Sequence, residues 1–343
     1  MHKTRVLLDE ITKLASQICR RIRLMEVCGT HTRAIAKYGI KQALPTNIEL
    51  ISGPGCPVCV TTSRDIDFII ELALRGIPVI TYGDMLRVPG SRGSLEDARA
   101  KGSKVHMVYS TVDALRIAEK EPKAVFFAIG FETTSPATAY AVKHGLRVYS
   151  THKLIPPAME AIAESPELRI EGFINPGHVS TIIGVEAYPK LAVPQVITGF
   201  EEPDILEAVA MLLKQISRGR HEVENQYTRA VRQEGNELAK QAVDEVFEVA
   251  DAAWRGLGVI INSGLRLKPI YKGQDAAIIY RGILEGIKPK ENPACRCGDV
   301  LRGTISPQQC PLFGSACTPS KPVGPCMVSY EGSCGVAYSE RKP

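Results

Sequence analysis

Two cysteines in a loop rich in Gly and Pro are the strongest candidates for chemistry in this sequence. Cys56 and Cys59 are separated by Pro57-Val58 and follow the stretch Gly53-Pro54-Gly55. The pattern predicts that the pair begins a helix, where free N–H groups and the helix dipole stabilise thiolates. Two thiolates one helical turn apart suit either chelation of one metal ion or cycling between dithiol and disulfide. A buried, inert pair is the alternative, although an apolar core has no need of cysteine in such a loop.

A third thiol lies beside an imidazole nearer the start of the chain. Cys28 and His31 are three residues apart in the stretch Met25–Thr32. His31 is a candidate metal ligand, proton carrier or partner of a ligand, and a polar loop without chemistry is the alternative. If Cys28 joins Cys56 and Cys59, three thiolates would suit a thiophilic iron and leave coordination positions open.

The last fifty residues contain a separate group of six cysteines. Their spacing lacks the two close Cys-x-x-Cys pairs of a zinc ribbon and favours a wrapped [4Fe–4S] cluster. Four of the six would be ligands, leaving two free as a redox-active pair near the cluster. A structural zinc site is the alternative. The six are Cys295, Cys297, Cys310, Cys317, Cys326 and Cys334.

Four other residues carry weaker signals. Glu132, in the stretch Gly130–Pro136, follows an apolar run and could move protons or orient a ligand, while the hydroxyls beside it commonly cap helices. His152 and His178 also follow apolar runs. Cys19 lies in an apolar helical stretch, and we expect it to be a core residue.

Composition and charge favour a cytoplasmic protein. The 343 residues are 44% hydrophobic and 23% charged, and the formal net charge is +5. Without a dense run of Lys and Arg, we expect no nucleic-acid partner. The first ten residues mix charges with apolar side chains, so neither a signal peptide nor a membrane segment is expected. Ten cysteines in the cytoplasm would stay reduced, which favours metal or redox chemistry over disulfide staples.

Short apolar runs alternate with helix-length segments through the middle of the chain, which predicts an α/β fold with parallel strands. Ligands collect at the carboxyl ends of such strands, so the Cys56, Glu132 and His178 segments should share one cleft. The predicted strands are Ile48–Ser52, Pro78–Tyr82, Val105–Tyr109, Ala124–Ile129, Leu146–Ser150, Ile170–Ile174 and Gln195–Thr198. The predicted helices between them are Asp65–Arg75, Leu95–Lys101, Val112–Glu119, Pro136–Lys143, Pro157–Glu164 and Asp204–Ser217.

We predict two similar α/β lobes, divided at Glu121–Lys123. The first lobe spans 46–120 and carries the Cys56/Cys59 loop, and the second spans 121–218. One long amphipathic helix is expected after them, between about Glu222 and Trp254. Beyond Pro289 no helical period remains, so a bound cluster would have to hold the tail.

Several motifs resemble the HypD family of [NiFe]-hydrogenase maturation factors, and the similarity extends over essentially the whole chain. Two stretches of the tail are similar to the family's cluster-binding region. The motifs are Cys28–Thr32, Gly53–Cys59 and Gly130–Pro136, with Cys310–Pro319 and Cys326–Cys334 in the tail.

The resemblance implies a scaffold on which the Fe(CN)2(CO) group of the hydrogenase is assembled, in complex with a small HypC-type chaperone. Cyanide would come from a HypE-type donor, with a HypF-type carbamoyltransferase upstream. The family fold it implies is two α/β lobes and a third, helical and cluster-bearing domain made from both chain ends, which would comprise 1–45 and 219–343. A thiol–disulfide oxidoreductase and a metal-stabilised binding module without chemistry are the competing interpretations.

The resemblance also implies roles for individual residues. Fe(II) carrying cyanide and CO would be held by thiolates, His31 would assist, and electrons would pass from the tail cluster through a thiol pair. The implied iron-site thiols are Cys28, Cys56 and Cys59, and our choice of cluster ligands is Cys295, Cys310, Cys317 and Cys334, although the spacing permits other sets.

Overall fold

Two parallel β-sheets form the framework in a computed structural model, which describes residues 2–165 and 167–341. Sheet I has the strand order β2-β1-β7-β8-β9, sheet II has the order β4-β3-β5-β6, and β10 and β11 pair as an antiparallel hairpin. The strands are β1 (Ile22–Glu26), β2 (Ile48–Ser52), β3 (Val79–Tyr82), β4 (Val105–Val108), β5 (Val125–Ala128), β6 (Arg147–Ser150), β7 (Gly172–Pro176), β8 (Gln195–Thr198), β9 (Val223–Asn225), β10 (Phe247–Trp254) and β11 (Gly258–Leu267).

Helices cover the sheets, and a few short helices lie within the mostly irregular C-terminal tail. No helix within the described residues combines the length and apolar character needed to cross a membrane. The α-helices are α1 (His2–Gln17), α2 (Gly29–Lys37), α3 (Ile40–Ala43), α4 (Pro57–Val60), α5 (Ser63–Leu74), α6 (Leu95–Ala100), α7 (Thr111–Lys120), α8 (Ser135–Lys143), α9 (Ile155–Ala163), α10 (Gly177–Ile183), α11 (Glu202–Ser217), α12 (Glu237–Val246), α13 (Ala276–Ile279), α14 (Arg281–Glu285), α15 (Cys297–Arg302), α16 (Pro325–Val328) and α17 (Ser333–Ser339). The 3₁₀ segments are Gly83–Arg87, Pro269–Tyr271 and Pro307–Gln309.

The predicted α/β class is confirmed, and each of the seven predicted strands is present within about two residues of its expected position. The strands of sheet II show why these runs were recognisable. All four residues of β5 are buried, as expected for a strand covered by helices on both faces of a parallel sheet.

The strands are grouped differently from the division expected at Glu121–Lys123. β5 pairs with β3, so strands before and after this stretch belong to one sheet, and the expected separation into strands of 46–120 and 121–218 is wrong. The stretch is only the turn between α7 and β5, closed by a 2.8 Å hydrogen bond from Ala124 N–H to the Glu121 carbonyl. The cluster-bearing third domain stays a prediction.

The prediction of one long helix between Glu222 and Trp254 is also wrong. The structure has the short strand β9, then α12, and the chain turns into strand β10 at Phe247. Side chains along β10 alternate between the core and solvent, and β11 supplies the partner for their backbone groups. Pairing with β11 therefore overrides the helical spacing of the apolar residues.

Cys19 is not a core residue, contrary to expectation. It is exposed because α1 ends at Gln17, which leaves Cys19 in the connection to β1. The cysteines of the tail are different, since their apolar surroundings merge with those of Cys56 and Cys59 in a single buried cluster of side chains.

Candidate thiol site

Adjacent strands of sheet I bring the Cys28 and Cys56 loops together. β1 and β2 run parallel with Glu26 paired to Ser52, so the loops that follow them leave the same edge of the sheet. Gly29 N–H donates a 2.8 Å hydrogen bond to the Gly55 carbonyl, which joins the two loops. A Cβ atom on Gly55 would overlap the backbone of Cys28, so only glycine permits this approach.

The Cys56–Cys59 pair lies at the start of a helix, as the sequence predicts. Cys56 caps α4, and its Sγ accepts a 3.2 Å hydrogen bond from the Cys59 backbone N–H. The two cysteines are paired as a disulfide with 5.2 Å between their Cα atoms. Both residues are buried, so neither sulfur is freely open to solvent in this state.

Cys28 is half-buried and stands over a buried carboxyl group. Burial raises the pKa of its thiol to about 12. Glu26 Oε2 accepts a 2.9 Å hydrogen bond from the Cys28 N–H, and the Thr32 hydroxyl donates to the same carboxyl group. Burial raises the pKa of Glu26 to about 7. The Cys28 thiol is therefore protonated at neutral pH unless a metal or a partner displaces the proton.

His31 is fixed by the loop after β8. Its Nε2–H donates a 2.9 Å hydrogen bond to the Gly199 carbonyl, and its ring lies 4.6 Å from the Phe200 ring, centroid to centroid. Burial lowers the pKa of His31 to about 4, so the ring is neutral. Nδ1 has no hydrogen-bond partner among the described residues. The ring of His178 also stacks on the Phe200 ring, with 4.0 Å between the ring centroids.

Glu132 follows strand β5 of sheet II and is buried. Its Oε1 accepts a 2.8 Å hydrogen bond from the Ile155 N–H, and its buried Oε2 has no partner in the described residues. Burial raises the pKa of Glu132 to about 7. The cleft that these segments were expected to share stays a prediction.

All six tail cysteines line one small apolar cavity. Its remaining lining residues are Leu312, Phe313, Met327 and Gly324, with no carboxylate among them. The sulfurs of Cys297 and Cys326 are 2.7 Å apart. An all-sulfur donor set in apolar surroundings fits an iron–sulfur cluster better than a hard cation.

No metal site is fully formed in the described parts of the chain. No three Cys, His, Asp or Glu side chains within 2–165 and 167–341 are already placed as ligands of a single ion. Cys56 and Cys59 are paired with each other, and Cys28 stands beside them. Iron binding at these thiols would therefore require the pair to be reduced and to rearrange.

The tail packs directly on the thiol site. Helix α16, which carries Cys326, contacts α4, which carries Cys59. Thr30, beside Cys28, donates a 2.7 Å hydrogen bond to Glu331 of the tail. Arg255 completes the contact, since its N–H donates to the Val60 carbonyl at 2.9 Å and its Nε donates to the Thr61 carbonyl at 3.0 Å.

Comparison with known proteins identifies the family. The HypD model, described as the hydrogenase formation hypA family, matches residues 2–341. The chain belongs to the HypD family. Among the relatives, hydrogenase maturation factor HypD1 of Bradyrhizobium diazoefficiens is 48% identical, over 94% of this chain and 90% of its own. HypD of Escherichia coli is 43% identical, over 98% and 95%, and a putative hydrogenase expression/formation protein of Methanocaldococcus jannaschii is 44% identical, over 98% and 96%.

This HypD-family site includes residues that the sequence did not single out. Glu26 accepts a hydrogen bond from the Cys28 N–H, and Arg255 donates both to the Val60 carbonyl of α4 and to Glu291 of the tail. Glu26 could have been found, because a carboxyl residue that closes an apolar run two positions before a cysteine is unusual. Arg255 reaches the site only through tertiary structure.

Proposed function

We propose that this chain serves the assembly of the Fe(CN)2(CO) group of [NiFe]-hydrogenase, as a scaffold that binds iron through cysteine thiolates in complex with a HypC-type chaperone. The observation that carries the proposal is the meeting of the Cys28 loop with the Cys56–Cys59 pair at one edge of sheet I. The relatives that are named hydrogenase maturation factors support it. A HypE-type protein, supplied by a HypF-type carbamoyltransferase, would deliver cyanide, and the cytoplasm is the proposed compartment.

Cys28 is the thiol best placed to meet an incoming iron. It is only half-buried, whereas Cys56 and Cys59 are buried. Two electrons and two protons convert the Cys56–Cys59 disulfide into two thiols. The freed sulfurs would then join Cys28 and a thiol of the chaperone around the iron, which is the cargo of the scaffold.

Iron binding must release protons, since thiols bind metal as thiolates. In this proposal Glu132 accepts one, supported by its unengaged Oε2 and by a pKa that burial raises to about 7, which lets it change state near neutral pH. Glu26 orients the Cys28 backbone through its hydrogen bond. His31 stays neutral, and its free Nδ1 is the atom with which it would assist.

The tail would supply electrons. We propose Cys295, Cys310, Cys317 and Cys334 as ligands of a [4Fe–4S] cluster, whose chemistry would be one-electron transfer. This choice leaves Cys297 and Cys326, whose sulfurs already lie 2.7 Å apart. Because α16 carries Cys326 against α4, this thiol pair is placed to pass reducing equivalents to Cys56 and Cys59.

A thiol–disulfide oxidoreductase is the second candidate. The Cys56–Cys59 pairing favours it, because such an enzyme needs only a reducible pair beside a source of electrons. It would act on its own pair or on a partner's and would not carry CN or CO.

Complementation of a strain that lacks its own HypD tests the proposal. Cys28→Ala and Cys56→Ala should each abolish hydrogenase maturation, while Cys19→Ala, which changes an exposed cysteine outside the site, should leave it intact. Normal maturation with Cys56→Ala would contradict the proposal.

A further inference from the structure

A second cavity lies away from the thiols. It has a volume of about 720 Å³ and opens between the end of β6, the β10–β11 hairpin and helices α13 and α14, with no cysteine in its lining. The size is within the range of small-molecule sites. Small side chains give it a flat apolar floor, formed by Ala250, Ala252, Gly264 and Ala277.

A buried amine faces this cavity. Lys153 lines it and is only 5% exposed. The backbone of Lys153 is held on both sides, because its N–H donates a 3.0 Å hydrogen bond to the Gly130 carbonyl and the residue bridges to Gly264. The side chain therefore cannot leave the cavity by a simple movement of a loop.

The Lys153 ammonium lacks a counter-ion. No carboxylate oxygen of the described residues lies within 4.0 Å of its Nζ, and none of their oxygen atoms accepts a hydrogen bond from it. An unpaired buried charge is costly, and burial lowers the pKa of Lys153 although the charge of Asp65 opposes this.

The acidic residues that line the cavity are engaged elsewhere. Asp65 accepts hydrogen bonds from the Tyr149 hydroxyl and the Thr62 hydroxyl, each at 2.7 Å. Three others have partners of their own: Asp275 with the Ala277 N–H, Asp251 with the Asn262 N–H, and Glu248 with Arg266. Glu285 lies on α14 at the cavity wall and is exposed.

Further cations lie around the opening. Arg64 is in the first turn of α5, where the helix dipole also favours an anion, and Lys272 and Arg281 line the cavity as exposed residues. Arg64 already donates to the Leu284 carbonyl. Arg281 is therefore the guanidinium best placed to meet a ligand at the rim.

We propose that this cavity binds a small organic oxyanion, a carboxylate or a phosphate ester, whose charged group pairs with Lys153 and whose apolar body lies on the alanine floor. The proposal does not depend on the function of the thiol site. If the cavity binds no oxyanion, the proposed assembly function is unaffected, and the reverse also holds.

Pyridoxal 5′-phosphate is a suitable probe, because it combines an oxyanion, a flat ring and an aldehyde. The aldehyde condenses with the Lys153 amine to an imine with release of water, and borohydride then reduces the imine to a secondary amine that mass spectrometry locates. With the full-length protein we expect labelling at Lys153 at least tenfold faster than at exposed lysines, as site binding raises the local concentration.

Variants and competitors decide the result. Arg281→Gln should slow the labelling of Lys153 several-fold, whereas Lys101→Met, an exposed lysine outside the cavity, should not change it. Citrate and inorganic phosphate are added separately, and protection by one of them identifies the preferred oxyanion, while protection by both indicates a site for either. Labelling of Lys153 no faster than that of surface lysines, or unaffected by Arg281→Gln and by both competitors, would overturn the proposal.

Lys153→Met provides a check that does not depend on labelling. Removing an unpaired buried charge should leave the melting temperature of the free protein equal or higher, and citrate or phosphate, whichever protects, should raise the melting temperature of the wild type but not of the variant. The same rise in both proteins would contradict the site.

Discussion

At the residue scale, two buried carboxyl groups are the candidates for moving protons at the thiol site. Glu26 accepts a hydrogen bond from the Cys28 N–H at the end of a strand of sheet I, and Glu132 follows a strand of sheet II and has one oxygen without a partner among the described residues. Burial raises both pKa values to about 7, which brings proton exchange at these carboxyls close to neutral pH. A scaffold that deprotonates thiols on binding iron would use such groups.

Glu132→Gln should separate function from stability. The pKa of Glu132 rises from 4.5 to about 7 on folding, so its contribution to stability is complete below pH 4.5 and is lost as the pH rises through 7. The Glu132→Gln variant has no carboxyl group at this position and therefore does not lose this stability as the pH rises. Relative to wild type it should gain up to about 3 kcal/mol in unfolding free energy between pH 5 and pH 8, while maturation falls.

Urea unfolding at the two pH values measures this difference. Glu164→Gln, at an exposed position, is the control and should show no comparable change between them. If the unfolding free energy of the Glu132→Gln protein differs from that of wild type by the same amount at both pH values, folding does not shift the pKa of this carboxyl group.

Gly55→Ala tests the contact between the two cysteine loops. The added Cβ would overlap the Cys28 backbone, so the loops must separate, and we expect a loss of about 1–3 kcal/mol in stability together with loss of maturation. Gly273→Ala is the control, because nothing lies within 4 Å of the Cβ it would add. Full maturation activity in the Gly55→Ala variant would mean that the close approach is dispensable.

At the element scale, the parallel strands were predictable because their burial on both faces produces short continuous apolar runs. The strand β1 was missed, although it lies beside β2 and sets the position of Cys28. Its sequence, Ile22-Arg23-Leu24-Met25-Glu26, interrupts the apolar run with charges. Both polar groups have partners: Arg23 forms a 3.2 Å ion pair with Glu49 of β2, and Glu26 accepts a local hydrogen bond from the Cys28 N–H.

The hairpin β10–β11 shows where local pattern fails. The spacing of apolar residues up to Trp254 matched a helix, but the partner strand β11 decides the structure, and pairing with a following strand is not encoded in the apolar period of one segment. The Cys56–Cys59 pair, by contrast, could be recognised from its spacing alone. Its proximity to Cys28 became visible only through the pairing of β1 with β2.

Also at the element scale, the proposed cluster ligands of the tail can be tested by substitution. If Cys295, Cys310, Cys317 and Cys334 hold the cluster, Cys310→Ser should lose most of the iron and sulfide of anaerobically purified protein, because an oxygen ligand replaces a thiolate. Cys326→Ser should retain both. Iron and sulfide analysis with electron paramagnetic resonance distinguishes these outcomes, and zinc in place of iron in the wild type would refute the cluster.

On the scale of the whole molecule, two distant parts of the chain meet at the thiols. Sheet I contributes Cys28 and the Cys56–Cys59 pair, and the tail packs α16, which carries Cys326, against α4. Glu331 of the tail also accepts a hydrogen bond from Thr30, beside Cys28.

Infrared spectroscopy of the protein purified anaerobically with its HypC-type partner tests the central claim most directly. If the chain is the assembly scaffold, the iron-loaded complex will show CN and CO stretching bands, and Cys28→Ala and Cys56→Ala will remove them while Cys19→Ala keeps them. An iron-loaded wild-type complex without CN and CO bands would contradict the account and favour the thiol–disulfide oxidoreductase.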